Sequence, residues 1–187
     1  FLPSTYQGTL FRSQGAPVLN LTRPSQVTRE DQRAQLDLMA RLNEEHLRHH
    51  EGEADLTSRI QSFELAFRMQ AEATGLVDLS GETETTRSLY GLDRAVSRNF
   101  GSKCLMARRL VERGVRFVQV YSDGEWDAHS NLNKNHTGHC AATDQPIHGL
   151  LTDMKARGLL DETLVIWGGE FGRMPVSQGG DGRDHNP

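Results

Sequence analysis

No run of about eighteen apolar residues occurs anywhere in the 187-residue chain, so the sequence offers no membrane-spanning helix. Cysteine is scarce. Cys104 and Cys140 both sit in helix-like stretches; they read as buried free thiols and leave the redox compartment open. There is no excess of basic charge: 21 Lys and Arg face 25 Asp and Glu, a net charge of -4. That leaves no electrostatic footprint for nucleic acid. Internal repeats and low-complexity tracts are lacking too. With 36% apolar and 25% charged residues, the length supports one domain with a proper core and well-solvated helices.

What the chain does have is concentrated at Thr163–His185. The apolar run Thr163–Trp167 reads as a strand buried on both faces of a parallel sheet. It stops at Gly168-Gly169 and gives way to Glu170, Arg173, Asp181, Arg183, Asp184 and His185. Earlier, Arg116–Ser122 runs in the same manner into Asp123, Asp127 and His129. Ligands of open α/β sheets bind beyond the carboxyl ends of the strands. Carboxylates and imidazoles at two such ends predict a site for a divalent metal ion.

Residues 1–27 are turn-rich, with Pro3, Gly8, Gly15, Pro17 and Pro24 around one extended candidate, Val18–Leu21, and with Leu10, Phe11 and Leu19 for packing. Thr28 caps a helix with Glu30 and Asp31 in its first turn. Leu36, Met39, Leu42, His46 and Leu47 form its face, and it ends by Gly52. A second helix starts after Asp55, carries Leu56, Ile60, Phe63 and Phe67 at helical spacing, and fades at Ala73-Thr-Gly75. Together they predict a helical hairpin inserted beside the main fold. Leu76–Ala95 reads as a connector with a short helix at Glu82–Leu89.

A third helix runs from Ser97 to Arg113 with Phe100, Cys104, Ala107 and Val111 as its stripe, ending at Gly114 in a left-handed cap. Val115–Tyr121 follows as a strand. Leu132–Arg157 is helical, interrupted or bent at Pro146; Ile147, Leu150, Leu151 and Met154 share a face, and Gly158 ends it. The order helix–strand–helix–strand predicts an α/β fold with crossover helices on a parallel sheet. Residues 1–95 are thus the irregular segment and hairpin insertion, and 96–187 part of the α/β core of one larger domain. Starting at Phe1, and with no strand after Pro187 to complete a sheet, the sequence reads as an internal piece of a longer protein.

Each candidate residue has a plainer alternative. Asp127 and His129 are ligand types for zinc or a similar ion, or else an Asx turn beside a surface histidine. Glu170 reads as a ligand, a general base or a turn residue. Asp184 and His185 end a loop rich in glycine (Gly179, Gly180, Gly182) that can fold back over the strand ends, or else is simply a disordered loop. Arg173 and Arg183 can hold an anionic ester by forked hydrogen bonds, or serve as ion-pair partners. His46, His49 and His50 read as solvated, and His136 and His139 share a helix face with no carboxylate at helical spacing. Asp144, just before Pro146, reads as a cap or a supporting partner. Gly168-Gly169-Glu-Phe-Gly172 echoes a phosphate-binding loop, but Met174-Pro175 follows in place of a helix. A dinucleotide site is therefore rejected.

Arg157–Arg173 (RGLLDETLVIWGGEFGR), Gly182–His185 (GRDH) and Trp126–His129 (WDAH) closely resemble the bacterial domain-of-unknown-function 1501 family. So do LAFRMQ at Leu65–Gln70, DLSGE at Asp78–Glu82 and LVERGVRFVQ at Leu110–Gln119. Members of that family look like sulfatases of the alkaline phosphatase superfamily. The resemblance implies a three-layer α/β fold with a mainly parallel sheet, present here as an incomplete C-terminal part. It also implies one or two divalent ions (zinc, calcium, magnesium or manganese) at strand ends. On it, Asp127, His129 and His185 match the first ion's ligands, and Glu170 matches a ligand of the second or a base. Asp184 joins the metal-binding group, and Arg173 and Arg183 steady the substrate. The superfamily has aspartate at the Glu170 position and histidine or asparagine at Phe171. Its nucleophile and export signal would precede Phe1, and its members work in the periplasm or outside the cell. The implied activity is hydrolysis of phosphate or sulfate esters, on a sulfated or phosphorylated small molecule or polysaccharide. The alternative is a non-catalytic exported binding protein on the same fold.

Overall fold

The computed structural model describes residues 8–12, 18, 23–50, 54–124 and 126–187, with backbone alone at 54, 55, 71–74, 76 and 77. Most of the expected extended segment Val18–Leu21, the helix stop at Gly52 and the side chain of Asp55 lie outside the described residues. The chain falls into two compact units, Phe1–Asp78 and Leu79–Pro187. No helix among the described residues is long and apolar enough to cross a membrane.

In the first unit α1 (Arg29–His49) begins where the sequence puts a cap. Thr28 Oγ1 accepts the Asp31 N–H at 3.0 Å, and the Asp31 carboxylate accepts the Thr28 N–H at 3.1 Å. Two orphan donors of the first turn are thereby satisfied. Helix α2 (Ala54–Val77) continues through Gly75 rather than fading there. The partly buried face of α1 is Leu36, Ala40, Asn43 and Leu47, whereas Met39 and Leu42 are exposed. The inward stripe is thus turned away from the most apolar side chains, and no α1 residue is fully buried. With so little apolar burial, a charged clasp takes over. The Arg33 fork reaches both Glu64 oxygens at 2.8 and 2.5 Å and lies 5.0 Å from the Phe67 ring centroid.

The second unit is also helical: α3 (Glu84–Leu89), α4 (Arg98–Glu112) and α5 (Leu132–Ala156), with single 3-10 turns at Leu79–Gly81 and Leu159–Asp161. Its core gathers Tyr90, Leu92, Cys104 and Leu105, with Phe100, Val120 and Leu150 packed against them. Burial pushes the Cys104 thiol up to about 12, which makes it an inert packing group. Gly114, at φ +82°, ends α4 as expected. Its N–H bonds Val111 O and the Val115 N–H bonds Leu110 O, the paired pattern of a Schellman motif. Helix α5 runs through Pro146 unbroken, with that ring fully buried.

The expected α/β architecture is overturned. The molecule is mostly helical, and its strands among the described residues are β1 (Gly172–Arg173) and β2 (His185–Asn186), an antiparallel pair. Neither Val115–Tyr121 nor Thr163–Trp167 forms a strand. An apolar run records side-chain character; a strand also needs a neighbour for its backbone groups, and none is paired here among the described residues. Leu164, Ile166 and Trp167 are consequently 84%, 81% and 72% exposed. In the earlier stretch Val120 turns to the core while Phe117 and Tyr121 face outward.

Charge, not a sheet, ties the second unit together. Arg108 on α4 is 3% exposed and meets three carboxylates: Glu82 at 2.9 Å, Glu112 at 2.6 Å and Asp153 of α5 at 3.0 Å. Tyr90 donates its hydroxyl to Asp153 at 3.0 Å, and Arg157 reaches both Asp153 and Glu112 at 2.7 Å. Removing one partner of such a group strands the others away from water. Arg108→Leu is expected to lower stability by about 3–5 kcal/mol, read by denaturant unfolding; a loss under about 1 kcal/mol would contradict the assignment. In the hairpin, the Arg33 hydrogen bonds hold the Glu64 carboxyl below its ordinary 4.5. A depressed folded value means the pair's contribution is complete above pH 4.5 and fades as pH falls through that lower value. The stability difference between wild type and Glu64→Gln should therefore vanish in acid; a gap unchanged from neutral to acid pH would contradict it.

Candidate functional site

Two segments of the second unit build the site: the loop 126–131 ahead of α5, and the β1–β2 hairpin with its connecting loop. Two hydrogen bonds lock them together. The Arg183 N–H donates to Ala128 O at 2.8 Å, and the Asn131 N–H donates to Asp181 Oδ1 at 2.6 Å. Asn131 itself sits at φ +52°. Between those bonds Gly182 is buried against the His129 carbonyl so closely that any Cβ would overlap it. On the far side, Lys103 of α4 reaches Asp123 at 2.5 Å and Tyr121 O at 3.1 Å, fixing where the loop begins. Glu125 lies outside the described residues.

The lock brings Asp127, His129 and His185 together, with one ligand atom from each within 4.8 Å of the others. Asp127 Oδ1 stands 3.0 Å from both His129 Nε2 and His185 Nε2 and also takes a hydrogen bond from Arg173. Arg173 spans Asp127 and Glu170, the latter at 2.7 Å. Its guanidinium lies 5.1 Å from the Phe171 ring centroid, and that ring packs 4.5 Å from His185. Asp184 lies behind His129, with Oδ1 2.6 Å from Nδ1, while its Oδ2 accepts the Gln178 N–H at 2.9 Å.

These partners set the ionisation. The Arg173 hydrogen bond, helped by His185, brings Asp127 down to about 2. Asp184 raises His129 and is itself lowered by it. Asp127 therefore stays anionic at neutral pH, beside the Arg173 guanidinium. One carboxylate oxygen and two imidazole nitrogens, open to solvent, fit the ligand set of a zinc-type ion that keeps a position for water or substrate.

Of the residues expected at the site, Asp127, His129 and His185 form the cluster. Arg173 touches it, Glu170 is joined to it through Arg173, and Asp184 supports it. The Arg183 side chain instead reaches Met174 O at 3.4 Å. His136 and His139 pack on Trp126 at 5.6 and 5.1 Å between ring centroids. The roles of Asp181 and Gly182 escaped the sequence reading, because a clasp between segments fifty residues apart leaves no local signal. Gly182→Ala is expected to cost about 1–3 kcal/mol of stability by overpacking and to broaden the His129 ring resonances. Unchanged thermal unfolding and unchanged ring signals would contradict the close approach.

No curated protein and no solved structure is similar enough to this chain to count as a match. A family model, described as "Protein of unknown function (DUF1501)", matches residues 1–187. Matched over its whole length, the chain belongs to that family.

Proposed function

We propose that the protein is a sulfatase-like, metal-dependent hydrolase of phosphate or sulfate esters, with Asp127, His129 and His185 holding a divalent ion. The observation that carries this reading is the convergence of one carboxylate and two imidazoles from two segments onto a single solvent-open point. When bound, the ion would supply Lewis acidity to the ester and lower the pKa of the attacking oxygen. The chain's own residues supply the rest. Arg173 presents a forked donor beside the cluster, suited to a tetrahedral anion. Glu170 orients that fork through its 2.7 Å ion pair and is the residue placed to act as general base. Phe171 covers one side of His185 and restricts its rotation. The substrate class is a sulfated or phosphorylated small molecule or polysaccharide outside the cytoplasm.

One observation favours a second reading. Arg173 bridges Asp127 and Glu170, so its cationic head already neutralises the place where a second ion would lie. A protein with one structural ion and no turnover, binding a polymer or partner, uses the same cluster.

Purified protein should retain zinc, manganese, magnesium or calcium near one equivalent. Asp127→Asn and His185→Ala should each lose at least about tenfold in affinity. Equal ion content in all three would remove the site. Turnover of aryl phosphates or aryl sulfates by the loaded protein, lost in Arg173→Ala, supports the hydrolase. Full occupancy with no turnover of either favours the binding protein.

A further inference from the structure

We infer that Asp184 is a positioning residue: it fixes His129 with its proton on Nδ1, so that Nε2 offers its lone pair to the point shared with Asp127 and His185. The inference rests on the metal reading above and adds a separate claim about this chain's own hydrogen bonds.

Each polar atom of Asp184 has a partner. Its Oδ1 is 2.6 Å from His129 Nδ1, close enough for a charge-assisted hydrogen bond, and its Oδ2 is occupied by the Gln178 N–H at 2.9 Å. Its backbone is held as well: the N–H donates to Val176 O at 3.1 Å, and the carbonyl accepts the Met174 N–H at 2.8 Å. A carboxylate fixed at both oxygens is poorly placed to ligate an ion and well placed to orient an imidazole. The two ring nitrogens of His129 face different acceptors, Asp184 at 2.6 Å and Asp127 at 3.0 Å. A neutral imidazole has one proton, and the shorter contact, to the less exposed carboxylate, takes it. That leaves Nε2 unprotonated on the side where His185 Nε2 also approaches Asp127.

His185 is oriented by a different device, the packing of its ring against Phe171 at 4.5 Å and His129 at 4.9 Å. The neighbours Asp184 and His185 therefore divide the work, one behind the cluster and one in it. Carboxylate–histidine pairs of this kind raise ligand basicity and fix the tautomer, and their loss typically costs 10–100-fold in metal affinity.

The test reads the histidine ring nitrogens of the metal-free protein by long-range nitrogen–proton correlation at alkaline pH, beside a zinc titration, for wild type, Asp184→Asn and Asp184→Ala. Wild-type His129 is expected with Nδ1 protonated and Nε2 bare. Asp184→Asn, which can turn an amide donor toward Nδ1, should shift the proton to Nε2. Both variants should weaken zinc about 10–100-fold, and Asp184→Asn should melt near wild type without zinc. A wild-type His129 protonated on Nε2 overturns the positioning role whether or not zinc binds. So do variants with unchanged ring signals and zinc affinity. Failure of wild type to bind zinc or any other divalent ion overturns the metal reading instead, and the ring signals then still decide where Asp184 places the proton.

Discussion

Everything at the candidate site depends on a clasp between residues 128–131 and 181–184. Two hydrogen bonds, Arg183 N–H to Ala128 O and Asn131 N–H to Asp181, bring the segments together around Gly182. Side chains alone would not assemble this cluster: its members are exposed, and exposed charged pairs hold little structure by themselves. One main-chain hydrogen bond and one from the Asn131 N–H to the Asp181 carboxylate do it, and they require a residue without a Cβ where the buried Gly182 crosses the His129 carbonyl. The glycine-rich tract is therefore structural at Gly182 in a strict sense.

Behind the clasp stands a second constraint of a different kind. The guanidinium of Arg108 joins α4 to α5 through Asp153, and the hydroxyl of Tyr90, at the end of α3, donates to the same carboxylate. This fixes the two helices that deliver the loop carrying Asp127 and His129. Lys103 adds a tether at the loop's start. Buried charge specifies the helical frame, the frame aims the loop, and the hairpin closes over it. The charges at the cluster then follow from proximity. Asp127 is held anionic by Arg173, and His129 is made more basic by Asp184.

How much of this was legible in the sequence depended on the range of the interaction. Thr28, Gly114 and Gly158 mark helix ends correctly because capping is a matter of a few neighbouring residues. The face of α1 was misread: Met39 and Leu42 are apolar but point outward, because Arg33, Glu64 and Phe67 decide how that helix turns. The two expected strands failed for a related reason. Thr163–Trp167 has the composition of a buried strand, yet pairing is a property of the neighbour as much as of the run. At the site, residue types were informative and residue roles were not. Asp184 and His185 look equivalent side by side, and their coordinates give one the Nδ1 of His129 and the other the carboxylate of Asp127.

The most direct test of the account is anomalous diffraction from crystals of the protein grown with manganese or zinc, measured on either side of the metal's absorption edge. One anomalous peak is expected within bonding distance of Asp127, His129 Nε2 and His185 Nε2, with Asp184 outside the coordination shell. A peak elsewhere, or none among these residues at saturating metal, would contradict it.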